Sequence, residues 1–200
     1  MISRIHYIVL GVSSILIFLA VLSLKNNWDF LLKPKFPKEL GFTQESIIKE
    51  IEPFQIGQDY ELINKADKDV NLEEIIKSSG KWSLVHLWAT WCPPCQEELV
   101  VLAKFPEKFP DIQLIQISVD FRWAQVGPFY NRLGLKLQNY DYLDKGGKGA
   151  RKIGSTMFPE TFLVDPQGKA RVKFIGPQQW LGPKIKSFLD LHQKGDSAKF

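Results

Sequence analysis

The sequence predicts a three-layer α/β domain built on a mixed central sheet, carried behind an apolar N-terminal segment. Three observations lead there. Two nearly continuous apolar runs, "WSLVHLWAT" and "IQLIQISVD", have the composition of strands covered on both faces. Segments with helical spacing of apolar residues alternate with them, and the last third closes on a hairpin followed by an amphipathic helix. The chain has 200 residues, 44% of them hydrophobic, enough for one ordinary domain plus additional segments. No internal repeat is evident.

Residues 7–24, "YIVLGVSSILIFLAVLSL", carry no charge and are just long enough to cross a hydrocarbon core. They read as a membrane span, so residues 1–25 are expected to be an N-terminal anchor. A cleaved signal is the second reading, although "AVLSLK" supplies a poor small-x-small exit. Arg4 precedes the span and Lys25, Lys33, Lys35 and Lys38 follow it, so the positive charges do not orient it. Residues 26–53 then read as a juxtamembrane spacer, broken by Pro34 and Pro37, with a short helix expected from Thr43 to Pro53.

The compact domain is expected over 54–192, ahead of a polar tail at 193–200. "YELIN" and the stretch around Val70 suggest a short hairpin. "NLEEIIKSSG" is a helix with Asn71 as its N-cap and Gly80 past its end. After the strand "WSLVHLWAT" the chain turns at the cysteines into "CQEELVVLAKF", where Leu99, Leu102 and Phe105 repeat at helical spacing until Pro106 and Pro110. The strand "IQLIQISVD" precedes a helical "WAQVGPFYNRLG" that Pro128 should kink or begin. A short "YDYLD" strand and a Gly-rich turn lead to "MFPETFLVD", which pairs with "ARVKFIG" through "PQGK". "WLGPKIKSFLDLH" is the closing helix, with Ile185, Phe188 and Leu189 on one side.

Composition narrows the function classes. The net charge is +4, but acidic and basic residues are mixed along the chain without the Lys/Arg stripe of a nucleic-acid surface. Two cysteines exclude a small scaffold stapled by many disulfides. Those two, Cys92 and Cys95, flank Pro93 and Pro94. Proline after Cys92 pushes that residue into extended backbone, and proline is tolerated at the first helical position. Cys92 is therefore expected at the N-cap, where the helix dipole favours its thiolate and makes it the attacking sulfur. Pro94 has no N–H, so the Cys95 N–H is the donor expected for the Cys92 sulfur. Cys95, one turn in, is placed to resolve a mixed disulfide. Two other readings stand beside this one: a pair of inert core thiols, and half of a metal site. Zinc normally takes four ligands, and of the three histidines only His86 is near the pair in sequence, His6 and His192 being remote.

"LWATWCPPCQEEL" together with "FPETFLVDPQGKARVKFIG" closely resembles the membrane-anchored thioredoxin-like proteins of the TlpA, ResA and CcmG type, over about 140 residues. The resemblance implies a thioredoxin-like fold and a thiol-disulfide oxidoreductase that reduces protein disulfides outside the cytoplasm. Its substrates would be the haem-site cysteines of apocytochromes c or other exported dithiol proteins, and a membrane electron donor of the CcdA or DsbD type would restore the dithiol. It implies no bound cofactor beyond the redox-active disulfide Cys92–Cys95, and no metal. It places the chain in the cell (inner) membrane as a single-pass protein with its catalytic domain facing the periplasm or cell exterior. It makes Pro159 a cis-proline facing the dithiol, with Phe158 offering backbone hydrogen bonds to an extended substrate segment. Glu98 and Glu160 match acidic positions of the family, Glu98 as a proton-handling catalytic group and Glu160 beside the substrate; a solvated helix acid and an edge-strand surface acid are the plainer readings of each. Trp91 and Pro93 belong to the rim that meets substrate, whereas Trp88 is a core residue. His86 departs from the family, whose members carry aspartate or asparagine there; a proton relay to Cys95 and a satisfied core histidine are both open readings. Disulfide insertion or isomerisation is the alternative activity, and a metallochaperone using the same pair is another.

Overall fold

The computed structural model describes residues 46–193. The expected span, the spacer up to residue 45 and the tail beyond Gln193 lie outside the described residues; within them, no helix is long and apolar enough to cross a membrane.

One eight-stranded sheet organises the domain, in the order β1-β8-β7-β4-β5-β6-β2-β3. The strands are β1 (Ile47–Gln55), β2 (Glu61–Asn64), β3 (Asp69–Asn71), β4 (Trp82–Trp88), β5 (Ile112–Ser118), β6 (Asp141–Leu143), β7 (Glu160–Val164) and β8 (Lys169–Ile175). β4, β5 and β6 run parallel and the other pairings are antiparallel, so the sheet is mixed as expected. The helices are α1 (Leu72–Ser79), α2 (Pro93–Leu102), α3 (Phe105–Lys108), α4 (Trp123–Arg132), α5 (Lys148–Lys152) and α6 (Pro183–Gln193).

Period-2 alternation on the central strands splits the core in two. Val85, Leu87, Ile115, Ile117 and Phe162 face the cluster that receives α1 and α4; Leu84, Leu114, Leu163, Val172 and Phe174 face the one that receives α3 and α6. Helix α2 reaches both, through Leu99 and Leu102. The N-cap of α1 is Asn71, whose side chain accepts from the N–H groups of Glu73 and Glu74, and Gly80 ends the helix in the left-handed region.

Of the helix expected from Thr43 to Pro53, the described part from Ile47 onward is instead the strand β1, so the sheet reaches into the residues assigned to the spacer. A helix of nine or so residues is marginal by itself, whereas the edge of β8 supplies hydrogen-bond partners to an Ile-rich segment. Pro53 is tolerated because β1 is an outer strand and its register shifts between Glu50 and Phe54. The helix after the cysteines stops at Leu102, before Pro106, which sits in the first turn of the separate α3. Pro128 neither begins nor ends α4 but lies inside it.

Candidate active site

Strand β4 delivers the chain to the edge of the core at Trp88, and four residues later Cys92 caps α2 with φ −98° and ψ 103°. Pro93 occupies the first helical position, as the sequence requires. Cys92 and Cys95 are joined in a disulfide, their Cα atoms 5.4 Å apart. The expected hydrogen bond from the Cys95 N–H to the Cys92 sulfur is not made; in this oxidised form that sulfur is bonded to Cys95 and caps nothing. Cys92 is 4% exposed and Cys95 is fully buried, so a partner meets Cys92 first. Among the described residues no group of three or more His, Cys, Asp or Glu side chains is placed to hold a metal ion.

The turn before Cys92 is held from the side. Asp120, buried just past β5, accepts from the Thr90 N–H at 3.0 Å and the Thr90 hydroxyl at 2.8 Å, and from the Ser118 hydroxyl at 2.7 Å. Charge-assisted bonds of this kind fix the loop between β4 and α2 against β5. Asp120 carries no motif spacing relative to the cysteines, and sequence reasoning missed it.

The Phe158–Pro159 bond is cis. In the antiparallel register Leu87 pairs with Glu160, which brings Pro159 to the end of β7 beside Trp88 and the turn that carries the cysteines. The Phe158 ring packs edge-on against Trp91, centroids 5.8 Å apart, and Trp91 is 65% exposed, a rim position as expected. Pro93 is exposed beside Cys92. Trp88 is buried against Phe129 and Tyr130.

Behind the disulfide, Glu98 is buried and not a solvated helix acid. Its Oε1 accepts from the Gln178 N–H at 2.7 Å and from the Trp180 indole N–H. Its Oε2 faces His86 Nε2 across 4.0 Å, and neither atom has another protein partner. His86 is fully buried on β4, with Nδ1 2.9 Å from the Thr161 hydroxyl. Burial pushes the Glu98 pKa up to about 8, against the two N–H donors that lower it, and pushes His86 down to about 3. Burial thus favours the neutral form of each group. Gln178, Trp180 and Thr161 were not found from sequence: the first two come from the loop after β8, eighty and more residues from Glu98, and nothing in their spacing announces the contact.

Glu160 differs from its expectation. Strand β7 is interior, between β4 and β8, so the residue is not an edge-strand acid. Its carboxylate is buried and lies 2.9 Å from Lys173 Nζ, and contact with substrate is closed to it in this form. Since Thr161 shares a face with His86, alternation puts Glu160 on the opposite face of the sheet from Glu98. The two acids do not form one cluster.

The profile of the AhpC/TSA family matches residues 55–173. The chain is 29% identical over 142 residues to a thiol-disulfide oxidoreductase ResA of Bacillus thuringiensis (strain Al Hakam), covering 70% of this chain and 81% of that protein. It is 36% identical over 101 residues to a thiol:disulfide interchange protein DsbE of Pseudomonas fluorescens biotype C, covering 48% and 53%. Among solved structures, StoA from Bacillus subtilis superposes with a TM-score of 0.51 at 20% identity over 69% of this chain and 96% of that one. A thioredoxin-family thiol:disulfide interchange protein from Chlorobium tepidum TLS gives 0.51 at 19% identity, over 65% and 90%. The fold is thioredoxin-like.

Proposed function

We propose that this chain, which belongs to the AhpC/TSA family, is a thiol-disulfide oxidoreductase of the ResA/DsbE type that works as a reductant of protein disulfides. The observation that carries this reading is the Cys92–Cys95 disulfide at the N-terminus of α2, with Cys92 outermost. In the reduced protein the Cys92 thiolate, favoured by the helix dipole, attacks one sulfur of the substrate disulfide, and the other substrate sulfur leaves as a thiolate. Cys95 then loses its proton and attacks Cys92, which releases the second substrate thiolate and forms the Cys92–Cys95 disulfide. Two electrons pass to the substrate. A membrane donor of the CcdA or DsbD type returns them.

Glu98 handles the proton of Cys95. It lies one helical turn on, and at neutral pH in the oxidised form its carboxyl holds a proton that the departing Cys95 thiolate can take when the disulfide is reduced. Trp91, Pro93 and the backbone of Phe158 beside Pro159 form the ledge on which an extended substrate segment lies. On the resemblance carried by "LWATWCPPCQEEL" and "FPETFLVDPQGKARVKFIG", its substrates are exported proteins, the haem-site cysteines of apocytochromes c first, with residues 1–25 anchoring the chain in the cell membrane and the domain on the periplasmic or outer side.

The test is the equilibrium reduction potential of the full chain in detergent, titrated in redox buffers with thiol trapping. A potential near or below roughly −250 mV is expected of a reductant; one near roughly −120 mV would overturn the direction and assign disulfide insertion.

A further inference from the structure

Along the sequence the charges between residues 121 and 159 look mixed, because Asp141 and Asp144 interrupt the cations. The fold removes both carboxylates from the surface. Asp144 is buried and accepts from the Tyr60 hydroxyl at 2.9 Å and the N–H groups of Gly149 and Ala150 at 3.1 and 2.7 Å. Asp141 is buried and accepts from the Tyr130 hydroxyl at 2.8 Å and the Gln138 N–H. Every exposed charged side chain from Phe121 to Pro159 is consequently a lysine or an arginine. Residues 46–120, by contrast, expose carboxylates and cations together.

Four of those cations lie at the end of the sheet where the chain leaves β4 for the disulfide. Trp88, Ser118 and Leu143 are in register across the parallel strands β4, β5 and β6, so the loops that follow all open at the same end of the sheet. The loop after β4 carries Cys92, the loop after β5 carries Phe121 and Arg122, and the loop after β6 carries Lys145, with Lys148 and Arg151 in α5 beyond it. The three are tied together: Thr90 bonds Asp120, the Gly146 N–H donates to the Asp120 carbonyl at 3.1 Å, and Arg151 donates to the Gly146 carbonyl at 2.8 Å. Gly146 lies against the Phe121 ring, where a Cβ would come within 2.9 Å of it. Phe121 is 66% exposed and Trp91 65%. Four exposed cations and two exposed aromatic side chains at one end of the sheet are an unusual surface to leave uncovered.

We propose that the loops after β5 and β6 form a docking surface, beside the disulfide, for a polypeptide partner that carries acidic side chains flanking its own reactive cysteines. This rests on the reading of the chain as a protein thiol-disulfide oxidoreductase, and it adds a charge class to its partners. Arg122, Lys145, Lys148 and Arg151 attract the acidic flank, and Trp91 and Phe121 receive an apolar neighbour. A polypeptide is the occupant because Cys92 opens at the same rim: an anionic lipid surface laid on these cations would cover the sulfur that has to react. The attraction acts chiefly on encounter, and salt screens it.

The test uses the reduced full chain in detergent and three peptides sharing one disulfide-bonded Cys-x-x-Cys core, with flanks rich in Glu, Gln or Lys. Each rate constant is divided by that for neutral bis(2-hydroxyethyl) disulfide, and binding of the corresponding Ser-x-x-Ser peptides is followed by tryptophan fluorescence, which needs no chemistry. At low salt the Glu-flanked peptide should react about 10-fold faster than the Lys-flanked one and bind more tightly, with the difference collapsing in molar salt. In the Arg122→Glu/Lys145→Glu/Lys148→Glu variant the order should reverse, whereas Lys49→Glu/Lys108→Glu/Lys184→Glu should keep it. Equal rates and affinities for all three peptides would overturn the docking surface while leaving the oxidoreductase reading intact. Preferential binding of the acidic Ser-x-x-Ser peptide without exchange on any disulfide would support the surface and overturn that reading. Binding to phosphatidylserine vesicles that needs the same three cations and blocks peptide exchange would assign the surface to lipid and overturn the proposal.

Discussion

Replacing Glu98 by Gln separates the charge of this side chain from its shape. The amide oxygen can accept from Gln178 and Trp180 as Oε1 does, and the amide N–H can point at His86 Nε2 as a carboxylic acid would. The substitution therefore resembles the protonated acid and removes the ionised one. Burial holds the folded pKa at about 8 against an ordinary value of 4.5. A carboxyl with a raised folded pKa binds its proton more tightly in the native state, so its contribution to stability is complete below pH 4.5 and is lost as pH rises through 8. At about 1.4 kcal/mol per pH unit, the ceiling of that loss is about 5 kcal/mol. Urea unfolding of the oxidised wild-type and Glu98→Gln proteins between pH 4.5 and 9 reads it out, because the difference between the two cancels every other titrating group. The proteins should be nearly equal at pH 4.5, and the variant should be the more stable by roughly 2–5 kcal/mol at pH 9. A difference that stays flat across this range would refute the reasoning, since it would mean that Glu98 is solvated in the fold.

His86 acts on the opposite limb. Its folded pKa of about 3 against 6.5 means that its stabilising contribution is present above pH 6.5 and is lost as pH falls toward 3, so His86→Asn should flatten the fall of wild-type stability between pH 6 and 4 in the same urea experiment. Cys95→Ser should accumulate a mixed disulfide with a protein substrate through Cys92, visible as a reducible band shift, whereas Cys92→Ser should form none, because only Cys92 is exposed at all. Gly149→Ala should destabilise the protein by roughly 3 kcal/mol or more in thermal or urea unfolding, since the new Cβ would collide with the Tyr60 ring and displace its bond to Asp144.

The local parts of this protein were legible from its sequence, because they depend on neighbours a few residues apart. Pro93 after Cys92 determined both the extended N-cap and the start of α2, Asn71 and Gly80 bounded α1, and the continuous apolar runs of β4 and β5 announced a sheet covered on both faces. The cis bond at Pro159 was anticipated from the resemblance of the "FPET" segment to a family, not from residue spacing. Where a segment's partner lay far away, local reasoning failed: the stretch from Thr43 to Pro53 looks like a short helix by itself, and the edge of β8 makes residues 47–55 a strand.

Only the tertiary structure decided the electrostatics. The acidic residues Glu98 and Glu160 both stood near the cysteines by motif, yet alternation across β7 and β4 sends them to opposite faces, one to His86 and Trp180 and the other to Lys173. Asp141 and Asp144 neutralise the neighbouring lysines in a count along the chain, but the fold turns both inward and leaves the cations outside. The physical reason is the same in each case. Backbone conformation is set largely by adjacent residues, whereas the ionisation and reach of a side chain are set by its burial and by which partners the sheet brings against it, and those come from distant parts of the chain.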